Sequence, residues 1–435
     1  MVIQLPEKVK YIINSLQAAG YEAYAVGGCV RDCVLGREPE DWDITTSAGP
    51  EDVKKLFPRT VDTGIVHGTV TVMLQKDGFE VTTYRIDGEY EDSRHPKEVI
   101  FTADLEEDLR RRDFTINAMA YNETDGLVDI FDGIGDLKTG IIRCVGDAKE
   151  RFTEDALRML RAVRFSGQLG FSIEKSTKLA MKMLAHNLEY ISAERIQAEL
   201  VKLAVSPHPD YLRTAYETGL TAVILPELDA IMEMPQKNSQ YRISVGEHTM
   251  RSMLVTSPDK IVRLTVLFHN FGKPFQRVAD KEGKGEYGEI GRKIAKKVLN
   301  RLKFDNDTIN KVTTLVKYFD YYIEETPKGV RSLASQIGRE LFPLLLSVKK
   351  ADAFTLGGYD KKEKLETLAS LEALYEDILK KKECLSLKEL AVSGQDLIEA
   401  GMQPGREMGD TLRRLLELVL ESPECNTKDY LLTQI

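Results

Sequence analysis

The chain of 435 residues lacks most of the features that announce a protein class at a glance. Its five cysteines, Cys29, Cys33, Cys144, Cys384 and Cys425, are an odd number without C-x-x-C spacing. That excludes a disulfide framework and a zinc ribbon and leaves reduced structural thiols. No window approaches 18 uninterrupted apolar residues, and the N-terminus MVIQLPEKVK lacks the basic-then-apolar layout of a signal peptide, so a soluble cytoplasmic protein with no membrane partner is expected. Low-complexity tracts and fixed-period repeats are missing, and with 42% hydrophobic and 30% charged residues the composition excludes a disordered chain. Neither G-x-x-x-x-G-K-[ST] nor G-x-G-x-x-G occurs, which removes the Walker and dinucleotide loops. Positive charge is also short, 60 Lys+Arg against 69 Asp+Glu for a net −9, which on its face argues against a nucleic-acid partner. Its distribution tells otherwise: residues 138–213 hold 13 Lys+Arg against 9 Asp+Glu. A locally basic cleft can grip RNA through a few focused phosphate contacts.

At roughly 100–200 residues per domain the length allows two to four domains. Residues 7–19 carry Val9, Ile12, Ile13 and Leu16 at helical spacing, and β-rich runs follow at 21–26, 42–46, 69–74 and 79–85. After about residue 145 the pattern turns to amphipathic helices, among them RFTEDALRMLRAVRFSGQLGF, SAERIQAELVKLAV and EIGRKIAKKVLNRLKF.

The segment EPEDWDITTSA puts Asp41 and Asp43 two apart in a strand-like run, with both carboxylates on one side about 6–7 Å apart at Cα. Hard oxygen ligands at that spacing suit divalent ions, and Mg²⁺ usually takes one or two carboxylates plus substrate phosphates, so phosphoryl transfer is the natural chemistry. A bare D-x-D is more often a solvated edge strand. Here it follows VGGCVRD, in which Gly27-Gly28 ends a strand and Arg31-Asp32 opens a helix. Paired glycines let backbone approach a ligand, a helix start favours phosphate, and Arg31 adds a charged donor. Glu80 in FEVTTYR offers a third carboxylate beside the pair, to complete the metal site or to hold Arg85 or backbone groups.

DLRRRDFTINAMAYN contains Arg111, Arg112, Asp113 and Asn117; by charge alone its three consecutive arginines read as a solvated face. RFTEDALRMLRAVRF reads as one helix capped by Thr153, with Glu154 and Asp155 in its first turn. Asp155 and Arg158 are i, i+3 neighbours, and Glu154 and Arg158 are i, i+4. An acceptor beside a planar donor fork can match a base edge, the plainer reading being surface ion pairs. Leu157, Leu160 and Val163 form the core-facing stripe.

The segments GGCVRDCVLGREPEDWDITT, EVTTYR, DLRRRDFTINAMA, FTEDALRMLRAVRF and ERIQAEL resemble, in order over residues 21–205, the motifs of the tRNA nucleotidyltransferase / poly(A) polymerase family, most closely the bacterial class II CCA-adding enzymes. The resemblance implies an α+β fold, with a DNA polymerase beta-like nucleotidyltransferase head over 1–143. An all-α remainder follows: a nucleotide-selecting, RNA-binding neck over 144–210, a body over 211–370 and a tRNA-binding tail over 371–435. It implies two Mg²⁺ ions on Asp41 and Asp43, nucleotide contacts from Gly28, Arg31, Arg112, Asp113, Arg161 and Arg164, and Asp113 as a carboxylate able to accept from a ribose 2′-hydroxyl. Asp155 and Arg158 become an amino-acid template for CTP and ATP, with Glu154 orienting Arg158. The polar segment GEYEDSRHPKEV matches the family's loop tied to switching from C to A. DIFDGIGDLKTG reads as a turn-rich hinge without chemistry.

Residues 246–275 resemble an HD phosphohydrolase domain with an incomplete ligand set. His248 and His269 are present, but Asn270 stands where a carboxylate belongs, Glu289 has no histidine beside it and VKYFDYY has none. A retained helical scaffold is expected, with both histidines in the core or at helix ends. The expected activity is template-independent addition of CCA to the 3′ end of tRNA from CTP and ATP, with release of pyrophosphate. The rivals are an A-adding enzyme, a poly(A) polymerase, an HD phosphohydrolase and a non-catalytic RNA-binding protein. The oligomeric state stays open.

Overall fold

The computed structural model describes residues 1–87, 99–236, 243–275, 286–356 and 358–435. The polar loop expected to govern C-to-A switching falls almost wholly, at 88–98, outside the described residues. The chain divides into two compact units, Met1–Pro226 and Glu227–Ile435.

The first unit opens with α1 (Glu7–Ala18), whose Val9, Ile12, Ile13 and Leu16 are buried as the helical spacing requires. Then come β1 (Ala23–Val26), α2 (Gly28–Val34), β2 (Ile44–Thr46), α3 (Pro50–Leu56), β3 (Thr60–Gly64), β4 (Thr69–Leu74), β5 (Asp77–Thr83), β6 (Arg85–Asp87), β7 (Val99–Phe101), α4 (Leu105–Arg110), β8 (Met119–Asn122) and β9 (Gly126–Asp129). Seven strands form one sheet in the order β3-β4-β5-β2-β1-β8-β9, mixed because β2 runs parallel to β5 while its other pairings are antiparallel. The central β1 is buried along its whole length, and Tyr24 and Val26 pack with Tyr84, Leu109, Ala118, Ala120 and Val145.

Past the sheet lie α5 (Gly133–Thr139), β10 (Ile141–Ile142), α6 (Ala148–Glu154), α7 (Leu157–Leu169), β11 (Ser172–Ile173), α8 (Lys175–Leu184), α9 (Ala193–Ala204), α10 (Leu212–Glu217) and α11 (Leu220–Ile224). The expected hinge over DIFDGIGDLKTG is in part α5, whose first amides, those of Gly133 and Ile134, donate to Asp129 at 2.7 and 2.9 Å. β10 and β11 pair in parallel over two residues, so this part of the chain is helical but for one short ribbon.

The second unit is helical: α12 (Pro226–Met232), α13 (Val245–Leu254), α14 (Lys260–Phe268), α15 (Glu286–Arg301), α16 (Asn306–Tyr318), α17 (Pro327–Ile337), α18 (Leu341–Phe354), α19 (Gly358–Lys380), α20 (Gly394–Glu399), α21 (Arg406–Glu421) and α22 (Lys428–Leu432). One core gathers Leu315, Val330, Phe342, Leu345, Leu371 and Ile378; a second, around Leu397, Leu415, Val419 and Leu431, holds the C-terminal helices together. The expected body–tail boundary at 370 falls inside the unbroken α19, and the compact division lies at Pro226 rather than at 210. All five cysteines are unpaired, and none of the described helices is long and apolar enough to cross a membrane.

Candidate active site

Asp41 and Asp43 precede β2 instead of lying in it, because regular pairing starts at Ile44. The cause is β1, which ends at Val26, where Gly27 turns the chain into α2 and leaves nothing for Asp41 to pair with. Asp43 is still docked, its carbonyl accepting from Val26 N at 3.0 Å. The parallel register Ile44↔Val81 sets Asp43 beside Glu80, one position earlier on each strand, so the third carboxylate arrives from β5 as expected. Burial pushes the Asp43 carboxyl above the usual range; Arg112 opposes that, and the nearby charges of Glu80 and Asp41 add to it. The three carboxylates do not draw their oxygens into a tight three-ligand cluster.

Of the two glycines, Gly27 is the one the geometry demands. Its φ is +83°, and a Cβ there would lie 3.1 Å from Arg112 Nη1, whereas one on Gly28 would meet only Arg31 at 3.7 Å. Arg31 sits in the second turn of α2, not at its opening. It donates to Asp32 at 2.9 and 3.0 Å and through Nη1 to Asn117 Oδ1 at 2.8 Å. Asn117 donates in turn to Asp113 at 3.2 Å, and Arg161 Nε donates to Asp113 at 2.7 Å. A continuous polar chain thus joins α2 to α7, with the Arg31 and Arg161 guanidiniums both against the Phe165 ring. Burial works against the Asp113 anion, but Arg161 and the Asn117 bond outweigh it and hold the carboxyl at about 2.

The three arginines do not share one solvated face. Arg110 is exposed beside Glu106, while Arg111 and Arg112 turn inward to the buried Asp108, Arg111 Nη2 at 2.7 Å and Arg112 Nη2 at 3.4 Å. Asp108 also accepts from Thr45 at 3.1 Å and fastens both arginines to β2. Sequence reasoning passed over Asp108, although its i, i+3 and i, i+4 spacing to Arg111 and Arg112 was the available signal. Arg112 Nε is buried without a hydrogen-bond partner, in the region where Asp43 feels its charge.

The helix expected to run from Thr153 is two helices. Thr153 lies within α6, its hydroxyl bonded to Lys149 O at 2.8 Å, and Asp155 leaves helical geometry at φ −143°, ψ 102°. The Asp155 carboxylate explains the break: it accepts from Leu157 N, the first amide of α7, at 3.0 Å and is gripped by both terminal nitrogens of Arg195 on α9, at 3.2 and 2.7 Å. Arg195 stands in ERIQAEL but was not singled out, since its partner lies 40 residues away. Glu154 does contact Arg158, which also donates to the carbonyls of Arg111 and Arg151 at 3.1 Å each. Leu157, Leu160 and Val163 are buried as expected, but Arg164 is buried too, paired with Glu199 and bonded to Gln168 at 2.7 Å. Its burial sets it apart from Arg161, which is also paired with a carboxylate, Asp113, but is about one-third exposed.

In the second unit His248 on α13 and His269 at the end of α14 are both buried, as the scaffold reading expected. Sequence reasoning did not anticipate that Asp352 of α18 joins them. Asn270 faces elsewhere, donating to Thr249 at 3.0 Å and accepting from Tyr287 at 2.8 Å. Glu289 is paired with Arg292.

A Poly A polymerase head domain family model matches residues 23–143, a probable RNA- and SrmB-binding site of polymerase A matches 170–232, and a putative tRNA nucleotidyltransferase domain 2 matches 289–435. Fold and matches together define a nucleotidyltransferase of the poly(A) polymerase class. The CCA-adding enzyme of Lactobacillus helveticus is 37% identical over 98% of this chain and 97% of its own length, and that of Lactiplantibacillus plantarum is 37% identical over 99% and 97%. The crystal structure of the Bacillus stearothermophilus CCA-adding enzyme in complex with CTP superposes with a TM-score of 0.76 at 29% identity, over 99% of this chain and 98% of that one. The Thermotoga maritima CCA-adding enzyme complexed with tRNA shares the fold, at a TM-score of 0.57 and 22% identity. The chain belongs to the CCA-adding enzyme family.

Proposed function

We propose that this chain, a cytoplasmic enzyme, adds C, C and A to the 3′ end of tRNA without a nucleic-acid template, consuming CTP and ATP and releasing pyrophosphate. The observation that carries the reading is the polar chain Asp32–Arg31–Asn117–Asp113–Arg161. It joins the glycine turn before Asp41 and Asp43 to the helix that begins beside Asp155 and Arg158. A single nucleotide spanning it would place its triphosphate at one end and its base at the other.

The donor set fits divalent ions: two hard carboxylates with Glu80 beside them and an Asp43 carboxyl raised by burial and by its acidic neighbours, while the unpartnered Arg112 Nε suits a phosphate oxygen. Asp41 and Asp43 would hold two Mg²⁺, with Glu80 supporting them. Bound there, the ions would acidify the primer 3′-hydroxyl and neutralise the triphosphate. Gly28, Arg31 and Arg112 would cradle the phosphates, Asp113 would accept from the ribose, and Arg161 would fix Asp113. Asp155 and Arg158 would read the base edge, with Arg195 and Glu154 respectively holding each in place. Arg164 would support α7 through Glu199 rather than touch the nucleotide. Residues 144–210 would serve as the neck, and those from 371 onward as the tail that meets the tRNA elbow.

The test supplies tRNA lacking all of CCA, lacking only A, or complete, with labelled CTP or ATP separately. Incorporation of two C and then one A is expected. Addition only to tRNA lacking A would make this an A-adding enzyme, and extension beyond A a poly(A) polymerase. Asp41→Ala and Asp43→Ala should each lower incorporation by about 10²–10³-fold or more, with tRNA binding retained; full incorporation by either would sink the metal assignment.

A further inference from the structure

Three guanidiniums from two helices meet one buried aromatic ring. The centroid of the Phe165 ring on α7 lies 3.9 Å from Arg164 Cζ, 5.2 Å from Arg31 Cζ and 5.4 Å from Arg161 Cζ. Among the described residues no other ring takes more than one cation. The like charges feel one another: burial lowers the Arg164 guanidinium from its usual value, Glu199 opposes that, and the charge of Arg161 adds to it. Each arginine has a carboxylate of its own, Asp32, Asp113 or Glu199, on separate segments of the chain, so the ring is the group that all three share. Phe165 is 5% exposed and stands edge-to-face with the fully buried Phe114, centroids 5.8 Å apart and planes at 82°. Phe114 N in turn donates to Asp113 at 2.8 Å, so the ring pair also backs the carboxylate that Arg161 holds.

We propose that Phe165 is a positioning residue for the nucleotide, its π face holding the Arg31 and Arg161 guanidiniums in place for the triphosphate and the ribose. The inference rests on the reading of the polar chain from Asp32 to Arg161 as the track of a single nucleotide. An aromatic face attracts a cation through its quadrupole, and the attraction grows where water is excluded, as it is around this ring. Arg161 reaches the ring because i and i+4 share a helix face, whereas Arg31 arrives from α2. The ring therefore sets the spacing of the two guanidiniums across two helices, which none of the separate ion pairs does. Arg158, the base reader, is held elsewhere, by Glu154 and two carbonyls. The influence of Phe165 thus belongs to the sugar–phosphate part that CTP and ATP have in common.

The experiment replaces Phe165 in the full chain with phenylalanines bearing one, two and three ring fluorines, which withdraw charge from the π face while nearly preserving ring size. Binding of CTP and of ATP is measured without tRNA, and KM and kcat with it. Dissociation constants and KM should rise stepwise, to about tenfold at three fluorines and by the same factor for both nucleotides, with kcat and tRNA affinity kept within about twofold. Phe165→Leu, its folding checked by circular dichroism, should lose at least as much. A ring that only fills space would tolerate the series or gain from its greater hydrophobicity, so a flat or falling series overturns the proposal. A changed ratio of CTP to ATP affinity does so too, since it would put the effect at the base. If the unaltered protein binds neither nucleotide, the reading of the track fails and takes the proposal with it; a flat series in a protein that binds both sinks the proposal alone.

Discussion

Asp113 is where the electrostatics of the site can be read directly. Held at about 2 against 3.8 for an unperturbed side chain, it stabilises the fold by about 2 kcal/mol at neutral pH. A depressed carboxyl gives its full contribution above the unfolded value and loses it as pH falls through the folded one, so about 1 kcal/mol is gone by pH 3. Chemical denaturation between pH 3 and 5 should show a steeper loss of stability in the unaltered protein than in Asp113→Asn; equal slopes would mean that Arg161 does not hold the anion. Arg158 tests selection at the same scale. Its guanidinium is fixed by Glu154 and two carbonyls, so Arg158→Ala should change the ratio of CTP to ATP incorporation by about tenfold, ~1.4 kcal/mol, while tRNA affinity is kept. An unchanged ratio would remove Arg158 from base reading.

Helix α9 couples to the break between α6 and α7 through two pairs of opposite sense, Arg195 with Asp155 and, one turn further, Glu199 with Arg164. The second pair is under 10% exposed on both sides, and removing one partner of a buried pair costs about 3–5 kcal/mol. Glu199→Ala should therefore destabilise the first unit by about 3 kcal/mol in urea denaturation, the low end because Gln168 still binds Arg164. A change below about 1 kcal/mol would show that the pair is not what joins these helices. Such elements also mark how far sequence reaches. The burial of α1, the span of β4 and the apolar stripe of α7 were legible because each is a local periodicity. The neighbouring of Glu80 and Asp43 followed from a strand beside a strand. The break at Asp155 was not legible, since i, i+3 and i, i+4 spacing survives it and its cause, Arg195, is 40 residues away. The burial of Arg164 and the arrival of Asp352 were hidden for the same reason, their partners being fixed by packing at long separation.

At the scale of the whole molecule the question is how a chain of net charge −9 holds an RNA. Residues 138–213 carry 13 Lys+Arg, but Arg143, Arg151, Arg158, Arg161, Arg164, Lys178, Arg195 and Arg213 are all spent on carboxylates within the fold. Among the described residues of this stretch Lys138, Lys149, Lys175, Lys182 and Lys202 form no ion pair, and all five are exposed. If these meet phosphates while the rest of the chain repels them, tRNA affinity should fall with salt at a log–log slope of about −3 to −4, at about −0.7 per contact. Filter binding between 50 and 200 mM salt measures it. Lys175→Ala and Lys182→Ala, both on α8, should each reduce the slope by about 0.7 without altering the CTP to ATP ratio. A slope near −8 would mean that arginines counted here as internally paired leave their carboxylates for the RNA. The ion pairs around Asp113 and Asp155 would then break on tRNA binding instead of preceding it.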